Sequence, residues 1–472
     1  MVKFPHETFI DTNPFAMING PLIPWYGSDV AYGFLAKAPA QQKTVVRRRG
    51  MVFCDGMRLA QAANYFELGD KAGAFFVEDD GLTLHLRLPE DDDPANHLIE
   101  FTAREQCFCP EEKYSAYVKI ENLTFKKAGN GFPPPQRGAV STNCGNHFII
   151  NNCVVEDVNG VGIDIGFQCP ARFSNAPRGY QIVSNCTISG CGICGLSGVP
   201  GSSDIHYIDM QHPAIIVVNN KLYDNCWQDF EELMENAAVK LHHLRDSLIA
   251  GNYINQTTYG CGIWTDASCE NLAIRENAVV NTKNNYGSIF LEASHEDLEV
   301  SRNVIIGSKC HGESGGNGIY SHNCDNIRNV KNIVLECGQY GILHNYGGTN
   351  RINRGRGNTG FGVDFFENMI SNCKYALMQP TEKGKADKNI YGNFSEGGYL
   401  KVGMPELHLD LAAWTKYMGW DKNGLMAEIE YSLASDRTTL DILIKTKGNR
   451  VKLVLNLHMP LGAQIDELFK MI

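Results

Sequence analysis

Asp266 and Glu292 occupy the fifth position of two successive copies of one five-residue pattern, Gly262-Ile263-Trp264-Thr265-Asp266 and Ser288-Ile289-Phe290-Leu291-Glu292. Further copies read Gly162-Ile163-Asp164-Ile165-Gly166, Gly192-Ile193-Cys194-Gly195-Leu196, Ala238-Val239-Lys240-Leu241-His242, Gly318-Ile319-Tyr320-Ser321-His322 and Gly341-Ile342-Leu343-His344-Asn345. The second and fourth positions are mostly apolar or small. Strand alternation therefore turns them inward and sends the third and fifth outward together. The third position then displays Lys240, Trp264, Phe290 and Tyr320, and the fifth His242, Asp266, Glu292 and His322. A solvated sheet face would carry Thr, Ser, Lys and Asn. Aromatics beside ionisable groups fit a sugar-type cleft, with Trp264 placed to stack on a pyranose ring.

Equivalent positions on adjacent strands lie about 4.8 Å apart, so the two carboxyls are expected roughly 5 Å from one another. That spacing suits glycoside hydrolysis with retention, one acid as nucleophile and the other as acid/base, whereas inversion needs about 6.5–9.5 Å. At ~5 Å and an effective dielectric near 20, two negative charges repel by about 3 kcal/mol, or roughly two pKa units, so one acid should keep its proton. Lys240 lies diagonally across one coil from Asp266 and favours its ionised form, leaving Glu292 to carry the proton. Stacked acids can also be a merely solvated ladder, but directly opposed like charges are destabilising unless something compensates. Glu235, Lys240, His242, Trp264 and His322 are the expected substrate contacts. Glu235 precedes its repeat unit, in an inserted loop whose residues 226–237 read as a short helix. His243 falls on the other face and reads as structural.

The elements that must hold these groups follow from a longer repeat. Asn152, Asn185, Asn220, Asn252, Asn277, Asn303, Asn332, Asn368 and Asn393 recur at intervals of 33, 35, 32, 25, 26, 29, 36 and 25. This is a unit of about 25 residues with loops inserted into several copies. Short strands at that spacing cannot bury their faces alone and must stack on neighbouring copies, which predicts a parallel β-helix over 113–400. Asn suits its corner because it tolerates left-handed backbone, and stacked copies can form a ladder. Residues 1–43 are assigned to an N-terminal segment and the first part of the helix. Residues 44–112 read as a small inserted antiparallel β domain, with extended runs at Thr44-Val45-Val46, Gly73–Val77 and Leu82–Leu88. Residues 401–472 read as a short helix near Leu409–Trp414 and a β cap of three alternating stretches, Ala427–Leu433, Thr439–Thr446 and Val451–His458, covering the open end of the solenoid. The stretch 346–360, with Arg351, Arg354 and Arg356, reads as a long functional loop or lid.

Composition bounds the function. The 472 residues carry 42 Lys+Arg and 53 Asp+Glu, a net charge of −11, which disfavours phosphate-tracking nucleic-acid binding and, less strongly, polyanionic sugars. A neutral oligosaccharide fits better. No apolar run approaches the ~20 residues of a membrane-spanning helix. The 16 cysteines are scattered singly and the start lacks a signal-peptide core, so the thiols read as reduced and the protein as cytoplasmic, a placement that a trimmed secretion signal would overturn. Cys191-Gly-Ile-Cys194 has no second pair at ligand spacing and reads as buried packing. No metal and no cofactor are expected.

Lys240-Leu241-His242-His243, Gly262-Ile263-Trp264-Thr265-Asp266 and Ile289-Phe290-Leu291-Glu292 resemble the right-handed β-helix glycoside hydrolases of family 120, whose known members are β-xylosidases. Val52-Phe53-Cys54-Asp55-Gly56 and the strands after it resemble the β-sandwich that this family inserts near the start of its helix. The resemblance spans most of the chain and implies Asp266 as nucleophile and Glu292 as general acid/base. It also implies a homo-oligomer in which a neighbour's loops narrow the cleft. Thr265 and Ala293-Ser294-His295-Glu296 depart from the family's usual pattern. The reading is thus an all-β retaining exo-glycosidase acting on short neutral β-linked sugars, β-xylosides foremost. The alternatives are a polysaccharide lyase or other β-helix glycosidase, for which the polygalacturonase motifs are absent as a set, and a non-catalytic carbohydrate-binding solenoid.

Overall fold

The computed structural model describes residues 2–3, 50–62, 64–78, 83–130, 138–166, 179–198, 211–228, 236–346, 352–353, 356–357, 359–381, 383–394, 397–403 and 405–472. Three long sheets run side by side, and within each the strands pair in parallel from coil to coil, apart from a few antiparallel additions. The chain is a parallel β-helix, all-β apart from short helices. Its lumen is one continuous apolar column in which Ile163, Leu196, Val239, Ile263, Ile289, Ile319 and Ile342 occupy equivalent rungs, each at most 1% exposed. Fully burying each such side chain contributes about 1.5–3 kcal/mol, so stacking rather than any single coil holds the register.

The polar ladder is real, and its membership differs from the sequence expectation. Asn220, Asn252, Asn277, Asn303, Asn332, Asn368 and Asn389 stack with each Nδ2 donating to the next Oδ1 at 2.9–3.0 Å. The series ends with Asn389 donating to Asp421 Oδ1 at 2.8 Å. Asn152 and Asn185 are corrected to the position one residue earlier, where the backbone is left-handed with φ of 50° and 53°; Cys153 and Cys186 take the rung itself, the latter donating its N–H to Asn220 Oδ1. Asn393 is likewise off the ladder. Left-handed backbone falls on the residue before each rung, and that residue can be Glu276, Arg302, Lys331 or Glu367. Asn is needed for the ladder's hydrogen bonds, which offset the ~1–2 kcal/mol cost of the left-handed corner beside it.

One coil is shifted against expectation. Cys194 pairs with Val161 and Leu196 with Ile163, so Gly192-Ile193 is not a rung of the pattern. Gly192 serves close approach instead: a Cβ there would sit 1.9 Å from the Asn159 carbonyl oxygen. Cys191 and Cys194 are both fully buried, and no described cysteine is joined in a disulfide.

The N-terminal domain contains two small sheets, Val52–Cys54 with Met57–Arg58 and Ile99–Phe101, and Thr83–Arg87 with Ala74–Val77, Val2–Lys3 and Ala60–Gln61. Pairing is antiparallel except between Ala60–Gln61 and Ala74–Phe75. Val52, Phe75, Val77, Leu84 and Leu88 close its core. The C-terminal segment divides its work. Helix Leu411–Met418 adds the fully buried Trp414 to the lumen's apolar cluster, where its indole and the Tyr391 phenol both donate to Asp421 Oδ2. The three antiparallel strands Glu428–Leu433, Thr439–Lys445 and Arg450–Asn456, with helix Leu461–Met471, instead pack through Ile442, Leu455 and Ile465 on the outer face of the sheet that holds Val280, Ile306 and Leu335. The β unit therefore covers a flank, and an aromatic-bearing helix closes the end.

Candidate functional site

Strands Ala237–His242, Cys261–Asp266, Gly287–Glu292, Asn317–His322 and Tyr340–Asn345 are consecutive in one parallel sheet. Their register aligns Lys240, Trp264, Phe290 and Tyr320 in one column and His242, Asp266, Glu292 and His322 in the next. Alternation has its expected result: Val239, Leu241, Ile263, Thr265, Ile289 and Leu291 fill the lumen, and the intervening side chains share the outer wall. Asp266 and Glu292 thus stand directly opposite one another on neighbouring strands.

The outer wall is far more enclosed than a solvated sheet. Lys240 is fully buried, and Trp264, Phe290, Asp266 and His242 are 5%, 1%, 7% and 5% exposed. The Lys240 ammonium sits 3.3 Å from the Trp264 ring centroid and 3.3 Å from Asp266 Oδ2. His242 Nδ1 lies 3.7 Å from the same oxygen. A buried ammonium is costly unless paired, and here its partners include the Asp266 carboxylate and the Trp264 face. Two cation-capable groups beside Asp266 favour its ionised form. Glu292, half-buried, shares its other side with His322 and Tyr320.

The aromatic column is a stack of rings on rings. Phe290 lies 4.8 Å from Tyr320 with planes 5° apart, and Trp264 lies 5.0 Å from Phe290. Tyr286, which the sequence pattern did not single out, stacks on Phe290 at 4.7 Å and tilts against Trp264 at 5.2 Å. Its only signal in the sequence is its position just before Gly287. The expectation that Trp264 stacks on a sugar ring is therefore corrected: neighbouring side chains occupy its faces. Its indole Nε1 is buried without a hydrogen-bond partner among the described residues.

Tyr320 and His322, two residues apart on one strand face, bond to each other, with Tyr320 Oη 2.8 Å from His322 Nδ1. Burial, opposed by a hydrogen bond from Asn345 and reinforced by the Glu292 charge, pushes the Tyr320 phenol up to about 12. The phenol keeps its proton at neutral pH; where it donates to Nδ1, the ring's own N–H lies at Nε2. His243, as expected, lies off this face, at a left-handed turn with φ of 53°.

Beyond the wall, Asp325 holds Thr359 and Phe361. Its carboxylate accepts from Thr359 N at 2.9 Å, Thr359 Oγ1 at 3.1 Å and Phe361 N at 3.1 Å, and His295 Nδ1 lies 3.7 Å away. Burial alone would push this carboxyl up. His295 and the Thr359 and Phe361 donors outweigh it and hold the group at about 2. Glu235, Arg351 and Arg354 lie outside the described residues, and Arg356 belongs to a two-residue strand, Arg356–Gly357.

The family model described as a right handed beta helix region matches residues 111–314. No functionally curated protein matches the chain in sequence. Among solved structures, the complex of XylC with xylose aligns with a TM-score of 0.59 at 16% identity, covering 84% of this chain and 70% of that one. The Azotobacter vinelandii mannuronan C-5 epimerase AlgE4 A-module gives 0.34 at 11% identity, over 60% and 80% of the two chains. The bacteriophage phi29 gene product 12 N-terminal fragment gives 0.38 at 13%, over 65% and 62%. The family-model match and the likeness to the XylC structure establish the right-handed β-helix, and no helix among the described residues is long and apolar enough to cross a membrane.

Proposed function

We propose that this chain is a retaining exo-glycosidase that hydrolyses short neutral β-linked oligosaccharides, β-xylosides foremost. The observation that carries this reading is the unequal surroundings of two acids in register: Asp266 has Lys240 and His242 at its carboxylate, and Glu292 faces a protonated phenol and His322 instead. Environments that differ in this way divide the labour between nucleophile and acid.

In the first step Glu292 gives its proton to the glycosidic oxygen as the carbon–oxygen bond breaks, and Asp266 forms a bond to the anomeric carbon. In the second, Glu292 takes a proton from water, the water oxygen attacks the same carbon, and Asp266 leaves as a carboxylate. Lys240 and His242 keep Asp266 charged between turnovers. His322 is a donor for sugar hydroxyls, and Trp264 and Glu235 are retained as substrate contacts. The −11 net charge and the likeness in fold to a protein solved with xylose support a neutral pentose as substrate.

The test is a panel of aryl glycosides assayed with the protein and its Asp266→Asn and Glu292→Gln variants. Losing the acid/base should cost about 10²–10⁴-fold on substrates with poor leaving groups, and far less on activated ones. Proton NMR should show the β-anomer of xylose formed first. First appearance of the α-anomer, or an Asp266→Asn variant at full activity, would overturn the assignment.

A further inference from the structure

The N-terminal domain carries a side-chain cluster remote in sequence from the proposed sugar site. Cys54 ends strand Val52–Cys54, and Asp55-Gly56 makes the tight turn to Met57–Arg58, with φ of 49° and 80° at the two turn residues. Positive φ at both positions is the hairpin geometry that Asp-Gly favours. His97 arrives from the other side, just before strand Ile99–Phe101, whose Ile99 pairs with Cys54. Cys54 Sγ, an Asp55 carboxylate oxygen and a His97 ring nitrogen all lie within 4.8 Å of one another.

Each polar ligand is already oriented by an outer partner. Asp55 Oδ1 accepts the Leu98 N–H at 2.9 Å, which leaves Oδ2 facing His97 Nδ1 at 2.6 Å. The other ring nitrogen, Nε2, is 3.0 Å from Asp92 Oδ2. This carboxylate–histidine arrangement is the one that fixes the ring of a metal-bound histidine. Cys54 adds a free thiol, 3% exposed, at the same point.

We infer that Cys54, Asp55 and His97 form a binding site for a divalent zinc-type cation, with Asp92 as the outer partner of His97. One thiolate, one imidazole and one carboxylate are the donor set of zinc or cobalt(II); calcium and magnesium take oxygen ligands. In a tetrahedral site with ligand bonds of about 2.0 Å, two light donor atoms stand about 3.3 Å apart. The Asp55 and His97 atoms need to separate by only about 0.7 Å, within the reach of two side chains that are both partly exposed. Binding forms metal–sulfur, metal–nitrogen and metal–oxygen bonds. It releases to buffer the thiol proton and the proton held between Nδ1 and Oδ2, and the fourth position goes to water. The bound ion ties the hairpin turn to the acidic segment 91–97.

The test is titration of the chelator-stripped full chain with cobalt(II) chloride, and with zinc chloride as competitor. The expected result is one ion per chain, with tetrahedral cobalt absorption and a thiolate-to-cobalt charge-transfer band that zinc abolishes. Cys54→Ser should remove that band. Asp92→Asn, an exposed change that leaves all three ligands in place, should weaken binding about 10–100-fold. Absence of a stoichiometric ion, or a charge-transfer band unchanged in Cys54→Ser, would overturn the inference, and neither readout depends on catalysis.

Discussion

Lys240→Met removes the ammonium and keeps most of the buried stem, so it isolates the charge. In the native chain the ammonium stands 3.3 Å from Asp266 Oδ2, with side-chain exposures of 0% and 10%. At an effective dielectric of 20 the Coulomb attraction across that distance is about 5 kcal/mol. Part of this offsets the desolvation of both ions, and His242 at 3.7 Å retains some of the compensation. Removing one member of such a buried pair costs roughly 3–5 kcal/mol, because the other is left charged and unpaired. The expected loss is therefore about 3 kcal/mol at pH 7, read as a fall in the urea midpoint at constant slope. Acidification should shrink the loss, since protonating Asp266 removes the stranded charge. In a double-mutant cycle, Lys240→Met with Asp266→Asn should be more stable than the sum of the single changes by about 2–4 kcal/mol. Additivity to within about 0.5 kcal/mol would refute the buried ion pair, and with it the argument that holds Asp266 ionised for attack.

The ladder and the loop anchor give two further outcomes. Asn303→Ala removes donors to Ile274 O and Asn332 Oδ1 and takes the Oδ1 acceptor from the Asn277 backbone N–H, so it should cost about 2–4 kcal/mol in thermal or urea unfolding. Asn185→Ala, at a corner off the ladder, should cost less than 1 kcal/mol; equal losses would refute the distinction between rung and corner. Asp325 is held at about 2 against 3.8, so its ionisation stabilises the fold fully above pH 3.8, and that stability is lost as pH falls through about 2. Discounted for partial exposure, the contribution is about 1–2 kcal/mol. Asp325→Asn should lose that amount at pH 7 and converge with the native chain near pH 2. A gap independent of pH would show that the carboxylate charge does not hold Thr359 and Phe361.

Much of this was legible from the residues alone. Recurring asparagines set the coil length and recurring Gly-Ile-like dipeptides its register. Because strand alternation has a period of two, aligning Ile263 with Ile289 and Ile319 was enough to bring Asp266 opposite Glu292 and to set Lys240 diagonally beside it. Alignment by residue type failed where one type does two jobs. Gly192 looks like a rung glycine but answers a carbonyl in the neighbouring coil, and Asn152, Asn185 and Asn393 look like ladder members although the rungs run through Cys153, Cys186 and Asn389. A one-dimensional pattern records identity and spacing, and both survive when a residue slips from rung to corner.

Tertiary structure alone decided what each outward side chain meets. Trp264 was expected to offer a face to sugar, but Lys240, Phe290 and Tyr286 take up its surface, the last from outside the repeated pattern. The meeting of Cys54 and Asp55 with His97, and of Asp325 with Thr359 and Phe361, joins segments whose separation in sequence carries no period. Periodicity encodes neighbours that stack because the backbone repeats. Contacts made by loops and turns depend on where the chain returns after leaving the repeat, and only the folded chain fixes that.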